Sequence, residues 1–318
     1  MLDFVYYPVS AILWFWHKVF STVSGSPDSG LVWALSVVFL VFTLKAVLFK
    51  PFVKQVRTQT VMQTLQPQIA ALRKKYAGDN RALTAEMSKL QKEHGYNPLL
   101  GCLPALLQVP VFIGLYHVLR SFNRTGAAGH VPFLSPTAPM SVEDNAHTAN
   151  YVFSAADVQS FLDAKLFGAP LSAMIASPAS WLESFGDVSR LSIVLVAVPL
   201  MLFAAVATHF TSRASVTRQR ASGMSTPQTA IMNSLVLWVF PLGVLVFGVF
   251  VPVAILIYFV SNNCWTLAQQ HLVYRALARE QSAGAASQPA TKPLFGSQPL
   301  PGSKPRPGVK PVRGRRKR

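Results

Sequence analysis

The sequence is poor in cysteine and in charge. Cys102 and Cys264 are its two cysteines in 318 residues, too few for a disulfide framework or a structural zinc site. Both lie in apolar stretches and read as inert core thiols. Charged residues make up 13% of the chain, about half the share of an ordinary soluble domain, and acids are fewer than bases, 12 against 29. That composition excludes a soluble globular domain. The motifs of common chemistry are missing as well: there is no HExxH, no GxSxG, no phosphate-cradling glycine loop and no pair of carboxylates inside an apolar run. His117 and His209 stand alone in or near apolar segments, where a histidine is more often hydrogen-bonded core than base or ligand. Neither catalysis nor a cofactor nor a metal is expected. The opening stretch "MLDFVYYPVSAILWFWHKVF" puts Asp3 before the apolar residues and Lys18 after them, and lacks a small-residue cleavage site. It therefore does not read as a secretory leader, and is expected to stay on the mature protein.

What the sequence has is apolar length. Hydrophobic residues make up 51% of it, and the mean hydropathy is +0.35. Runs at 31–53, 99–121, 190–211, 230–248 and 251–271 are bounded by polar residues, glycine or proline. Each is long enough to cross roughly 30 Å of hydrocarbon as a helix. They lack the strict apolar–polar alternation of barrel strands. The expected architecture is an all-α polytopic membrane protein with five transmembrane helices. Segment 1–25 is aromatic but carries His17 and Lys18, and is expected to lie on the outer surface as an amphipathic interfacial helix, a sixth span being the alternative.

The bases set the orientation. Segments 54–98, 212–229 and 272–318 hold eight, three and eleven Lys/Arg, whereas the opposite side has Lys18, Arg120, Arg124, Lys165 and Arg190. Basic residues favour the cytoplasmic side of short loops, so the N-terminus is expected outside and the C-terminus inside. The outer loop, 122–189, then holds six of the twelve acids.

Two cytoplasmic segments look more than connective. In 54–98, Met62, Leu65, Ile69, Leu72 and Tyr76 recur at helical spacing, as do Leu83, Met87, Leu90 and His94, with "AGDN" as a turn between them. This predicts a helical hairpin. Its basic outer face, Arg73, Lys74, Lys75, Arg81, Lys89 and Lys92, reads either as a solvated surface beside anionic lipid or as a docking surface for a client or a ribosome. The tail 272–318 turns to Ala, Ser, Gly and Pro near 281 and closes on "KPRPGVKPVRGRRKR", which cannot bury a core and should be disordered. Arg313, Arg315, Arg316, Lys317 and Arg318 would attract a polyanion, ribosomal RNA or anionic lipid.

The most informative polar residue is Lys45, inside "SVVFLVFTLKAVLFKPFVKQ". A lysine at a helix centre costs about 2.5–3.5 kcal/mol on insertion scales. If Lys50 marks the interface, Lys45 lies roughly 7.5 Å deeper, a distance its own stem nearly covers. Snorkelling is thus one reading. The other comes from Gln108, between Pro104 and Pro110, and from Ser261, Asn262, Asn263, Thr266, Gln269 and Gln270 in the last run. These sit at similar depth, and in lipid such groups need partners or water. They would form a polar recess open to the cytoplasm, or an interhelical cluster with no cavity.

The strings "MQTLQPQIAALRKKY", "EMSKLQKEHGYNPLLGCLPALLQVPVFIGLYHVL" and "IYFVSNNCWTLAQQHLVYRAL" together resemble the bacterial YidC-type membrane protein insertases, which are related to those of mitochondria and chloroplasts. The likeness covers roughly residues 31–122 and 190–275. "FNRTG" after the second run resembles the actinobacterial branch. The resemblance implies an ATP-independent insertase of the plasma membrane whose five helices surround a hydrophilic groove, closed outside. It implies nascent membrane proteins as clients, inserted alone or with the Sec translocon, with the ribosome kept near by the basic tail and a monomer as sufficient. It places the groove's positive charge, usually arginine, twenty positions before the Leu of LQP, which is Lys45, and makes Gln108 and Tyr258 groove-lining. Lysine keeps the charge but not the planar fork of arginine. A transporter or channel for an anionic solute is the competing reading; it would favour internal repeats, and none is evident.

Overall fold

The computed structural model describes residues 3–94, 99–125, 140–186, 188–221 and 227–287. The chain divides into a body, Met1–Arg275, and a second unit, Ala276–Arg318, helical through Ser287. Helix α1 (Asp3–Ser24) buries Tyr6, Val9, Ser10, Leu13 and His17, spaced three to four residues apart, and exposes Phe4, Tyr7, Phe15 and Val23. Large apolar side chains therefore lie on its exposed face as well as on its buried one. Its buried stripe packs on α2 (Gly30–Val47) and on α6 (Leu99–Arg120).

The run expected as one span at 31–53 is broken: α2 ends at Val47 and α3 (Phe49–Thr64) follows after Leu48. Pro51 accounts for the break, because without an N–H it cannot bond to the Val47 carbonyl one turn back. Helices α4 (Gln66–Lys75) and α5 (Asn80–Glu93) form a hairpin. Gly78 turns it at φ 99° and the Asp79 carboxylate caps α5, accepting from the amides of Arg81 and Ala82.

Segment 140–186, part of the loop expected to lie outside, contains α7 (Val142–His147), α8 (Ala155–Asp163), a two-residue hairpin of β1 (Lys165–Leu166) and β2 (Ala169–Pro170), and α9 (Ala179–Leu182) followed by a 3-10 turn. Phe167 and Gly168 take φ 50° and 82°, the double positive φ that a tight hairpin requires. Gly30 lets α2 approach this hairpin: a Cβ there would lie 2.2 Å from the Lys165 carbonyl oxygen.

Helix α10 (Arg190–Ala221) outruns the expected 190–211 by ten residues. Helices α11 (Pro227–Ser234) and α12 (Phe240–Phe247) are joined by a π segment, Leu235–Val239. Pro241 leaves the Leu237 carbonyl without its helical donor, and His209 of α10 supplies one, with Nδ1 3.0 Å away. Helix α13 (Val253–Ser287) completes the body. Its first turn is capped by segment 140–186, Val253 N–H donating to Ala173 O at 3.0 Å and Ala254 N–H to Leu171 O at 2.9 Å. Two amides that a helix start would otherwise leave orphaned are satisfied this way.

Among the described residues, three stretches are long and apolar enough to cross a membrane: Gly30–Val47, Arg190–Thr217 and Ala230–Phe250. The five spans expected from sequence go beyond these three; the runs 99–121 and 251–271 are helices α6 and most of α13. Leu195, Leu202, Phe203, Phe210, Trp238 and Phe247 on α10 and its neighbour are exposed, as side chains that face lipid should be.

Candidate functional site

Helix α2 carries Lys45 in its last turn, where the helix dipole favours a cation. The ammonium donates to Gln108 Oε1 of α6 at 3.0 Å, and Gln108 Nε2 donates to the Tyr258 hydroxyl of α13. One amide thus links three helices, using both of its ends. Tyr258 is fully enclosed, and Phe112 of α6 meets both it and Phe259, at ring distances of 5.9 and 5.5 Å. No acid occurs between Asp28 and Asp79, between Glu93 and Glu143, or between Asp187 and Glu280. Lys45 is therefore solvated by a neutral dipole and keeps its net charge.

The other polar residues of α13 part company. Ser261 is buried but donates to the Ile257 carbonyl of its own helix at 2.8 Å, a common resting place for a helical serine. It does not join Lys45. Asn262 Oδ1 is buried without a hydrogen-bond partner, which marks it as a site for water or for a ligand donor. Asn263 Oδ1 accepts from Thr208 of α10 at 3.2 Å, so it serves as interhelical glue. Trp265 Nε1 donates to Gln269 Oε1 at 2.7 Å.

Arg73, Lys74, Lys75, Arg81, Lys89 and Lys92 are all exposed on the hairpin. The first three occupy the last turn of α4, and Lys75 Nζ stands 5.0 Å over the Tyr76 ring. Arg313, Arg315, Arg316, Lys317 and Arg318 lie outside the described residues.

At the end of the body expected to lie outside, polar groups are densely bonded. Trp33, at the start of α2, stacks on His17 at 3.8 Å and donates to Ser160, which donates to the Pro27 carbonyl. Lys18 pairs with Asp157 at 2.6 Å. Burial alone would raise the Asp157 pKa, but hydrogen bonds from Lys18 and from Ser154 outweigh it and hold the carboxyl below its ordinary value. Arg124 of "FNRTG" donates to the carbonyls of Ser121 and Ala149 and to Asn150 Oδ1. Sequence reasoning missed this network, because its members are 100 or more residues apart or lie in loops without periodicity; a buried tryptophan beside a histidine was its faint sign.

A sequence profile for the family described as 60Kd inner membrane protein matches residues 26–280. A Mycobacterium tuberculosis protein named membrane protein insertase YidC is 55% identical over 282 residues, covering 89% of this chain and 75% of that one. The like-named Mycobacterium leprae protein is 52% identical over 304 residues, covering 92% and 78%. A Streptomyces avermitilis protein of the same name is 33% identical over 275 residues, covering 86% and 58%.

Proposed function

This chain belongs to the family of YidC membrane protein insertases, bacterial membrane proteins and not a family of catalytic enzymes, and from that premise we propose that it inserts nascent membrane proteins through a polar groove charged by Lys45. In this reading α2, α6, α10, α11–α12 and α13 all span the membrane around the groove, α1 lies on the outer surface, and the C-terminus is cytoplasmic. Clients enter from the cytoplasm, with the basic hairpin meeting them first. The terminal arginines hold the ribosome or anionic lipid nearby, and the protein works alone or with the Sec translocon.

The observation that carries the reading is the chain Lys45–Gln108–Tyr258. A hydrophilic client segment must cross a layer of low dielectric, and a recess reaching part way through shortens that path and lowers its desolvation cost. A cation held by a neutral amide can be captured by a client carboxylate, because the exchange gives up one charge–dipole bond for an ion pair. At ~4 Å and intermediate dielectric such a pair is worth about 4 kcal/mol before desolvation takes back much of it. The client's apolar helix then leaves sideways into lipid, where its burial drives the reaction.

Insertion of a single-span client with an acidic translocated segment into proteoliposomes tests this. Lys45→Ala should slow it by about tenfold, the effect of roughly 1.4 kcal/mol, while Lys45→Arg keeps it. Equal rates for Lys45→Ala and the parent would sink the groove charge. A photo-crosslinker at position 45 should also capture a stalled nascent client.

A further inference from the structure

At the expected cytoplasmic end of the recess lies an apolar crevice of about 400 Å³, lined by Ala46, Phe49, Trp265, Ala268, Gln269 and Leu272. It opens between the α2–α3 junction and α13. Towards the membrane interior the Phe42–Trp265 contact, with ring centroids 5.2 Å apart, closes it. The two polar groups on its wall neutralise each other, since the Trp265 indole donates to the Gln269 amide oxygen. What remains is hydrocarbon surface.

The rim is cationic. Lys50 follows Phe49 directly and Lys54 stands one turn further; both are exposed. On α13 the lining positions 265, 268, 269 and 272 share one helix face, and the same face continues to exposed Arg275. Arg275 uses Nη1 on His271 at 3.2 Å and keeps further guanidinium donors. No acid stands nearer in the chain than Asp28, Asp79, Asp187 or Glu280. Apolar walls ending in unopposed bases at a headgroup level fit an amphiphile with an anionic head.

We propose that this crevice is a binding site for an anionic phospholipid of the inner leaflet, with an acyl chain against Trp265 and Leu272 and the phosphate among Lys50, Lys54 and Arg275. The lipid fills the gap below the Phe42–Trp265 contact and seals the α2–α13 side of the recess. The site rests on the membrane placement proposed above for α13.

Trp265 is the reporter. Full-length protein is reconstituted with phosphatidylglycerol or phosphatidylcholine carrying brominated acyl chains, and the Trp265 signal is taken as the difference between the parent and Trp265→Phe. Each basic residue at a membrane surface adds roughly fivefold to anionic-lipid affinity, so phosphatidylglycerol should quench at a mole fraction on the order of tenfold lower. Lys50→Gln with Arg275→Gln should erase that preference, and Ala268→Leu, which narrows the crevice without touching charge, should weaken quenching by both lipids. Equal quenching by the two lipids in the parent overturns the site but leaves α13 in the membrane. Quenching by neither, with full access to aqueous acrylamide, overturns the site together with the placement of α13, while the Lys45 insertion assay stands apart from both outcomes.

Discussion

The two ends of the helical body handle their charged groups in opposite ways. At the end proposed to face out, Lys18 has Asp157, Arg124 has backbone carbonyls and an asparagine, and the first amides of α13 have Leu171 and Ala173. Around Lys45 the cation meets a neutral amide and hydrocarbon walls stand open beside it; buried polar atoms without a partner occur at both ends, His17 Nδ1 and Ser172 Oγ at one and Asn262 Oδ1 at the other. A cation already paired with an acid has little left for a new partner, whereas one held by a neutral dipole can still take a carboxylate. On the function proposed above, the outer end stays shut and the Lys45 end exchanges partners. Substitutions outside should therefore cost stability, and substitutions inside should cost insertion.

The largest expected effect is Trp33→Ala. This side chain is fully buried and contacts His17, Phe122, Phe153 and Phe161, so its removal should cost about 3–5 kcal/mol, seen as a lower unfolding midpoint in detergent. An unchanged midpoint would break the contrast at its stronger side. Next comes Gly30→Ala, whose methyl would collide with the Lys165 backbone. Overpacking of that kind costs ~1–3 kcal/mol, and the same thermal measurement reads it.

Inside the recess, Gln108→Glu sets a carboxylate of the same shape against Lys45. Insertion of acidic clients should fall about tenfold, with little change in unfolding; full activity would show that the groove does not need its net charge. Smallest is Asp157→Asn, worth about 0.5–1 kcal/mol for a pair whose lysine is half exposed. Because the folded-state pKa of Asp157 is lowered, its contribution is complete above the ordinary carboxylate range near 4 and is lost as pH falls through the folded value. The stability gap between parent and variant should close on acidification. A gap that stayed constant would assign the effect to capping of α8 alone.

The recess was more legible in the sequence than the closed end. Lys45 and Gln108 announce themselves because a polar group in an apolar run has few ways to be satisfied, and the bond between the two falls within that short list. Tyr258 came only from resemblance, since a tyrosine in an apolar helix is ordinary. Ser261 was grouped with Lys45 by depth, yet its own helix offered a nearer acceptor at Ile257. The Leu48 break could have been read from Pro51, had its missing N–H been counted against the length of the run. The outer network could not be read, because pairs such as Trp33 with Ser160 or Lys18 with Asp157 depend on how α8 docks, and no periodicity encodes that. The stretch "FLDAKLFGAP" ends α8 and makes the hairpin against which Gly30 lies.

The bond from His209 to the Leu237 carbonyl has a mechanical consequence. Proline in a lipid-facing helix ordinarily makes a soft joint, but here the vacancy it creates is filled from the neighbouring helix. Should α12 swing away alone, that carbonyl would be stranded in hydrocarbon at a cost of ~1–3 kcal/mol. Gly248 lies close against the Met201 side chain of α10, a second contact between the pair. Helices α10 and α12 are thus a single paddle, and any sideways gate on this flank must carry both.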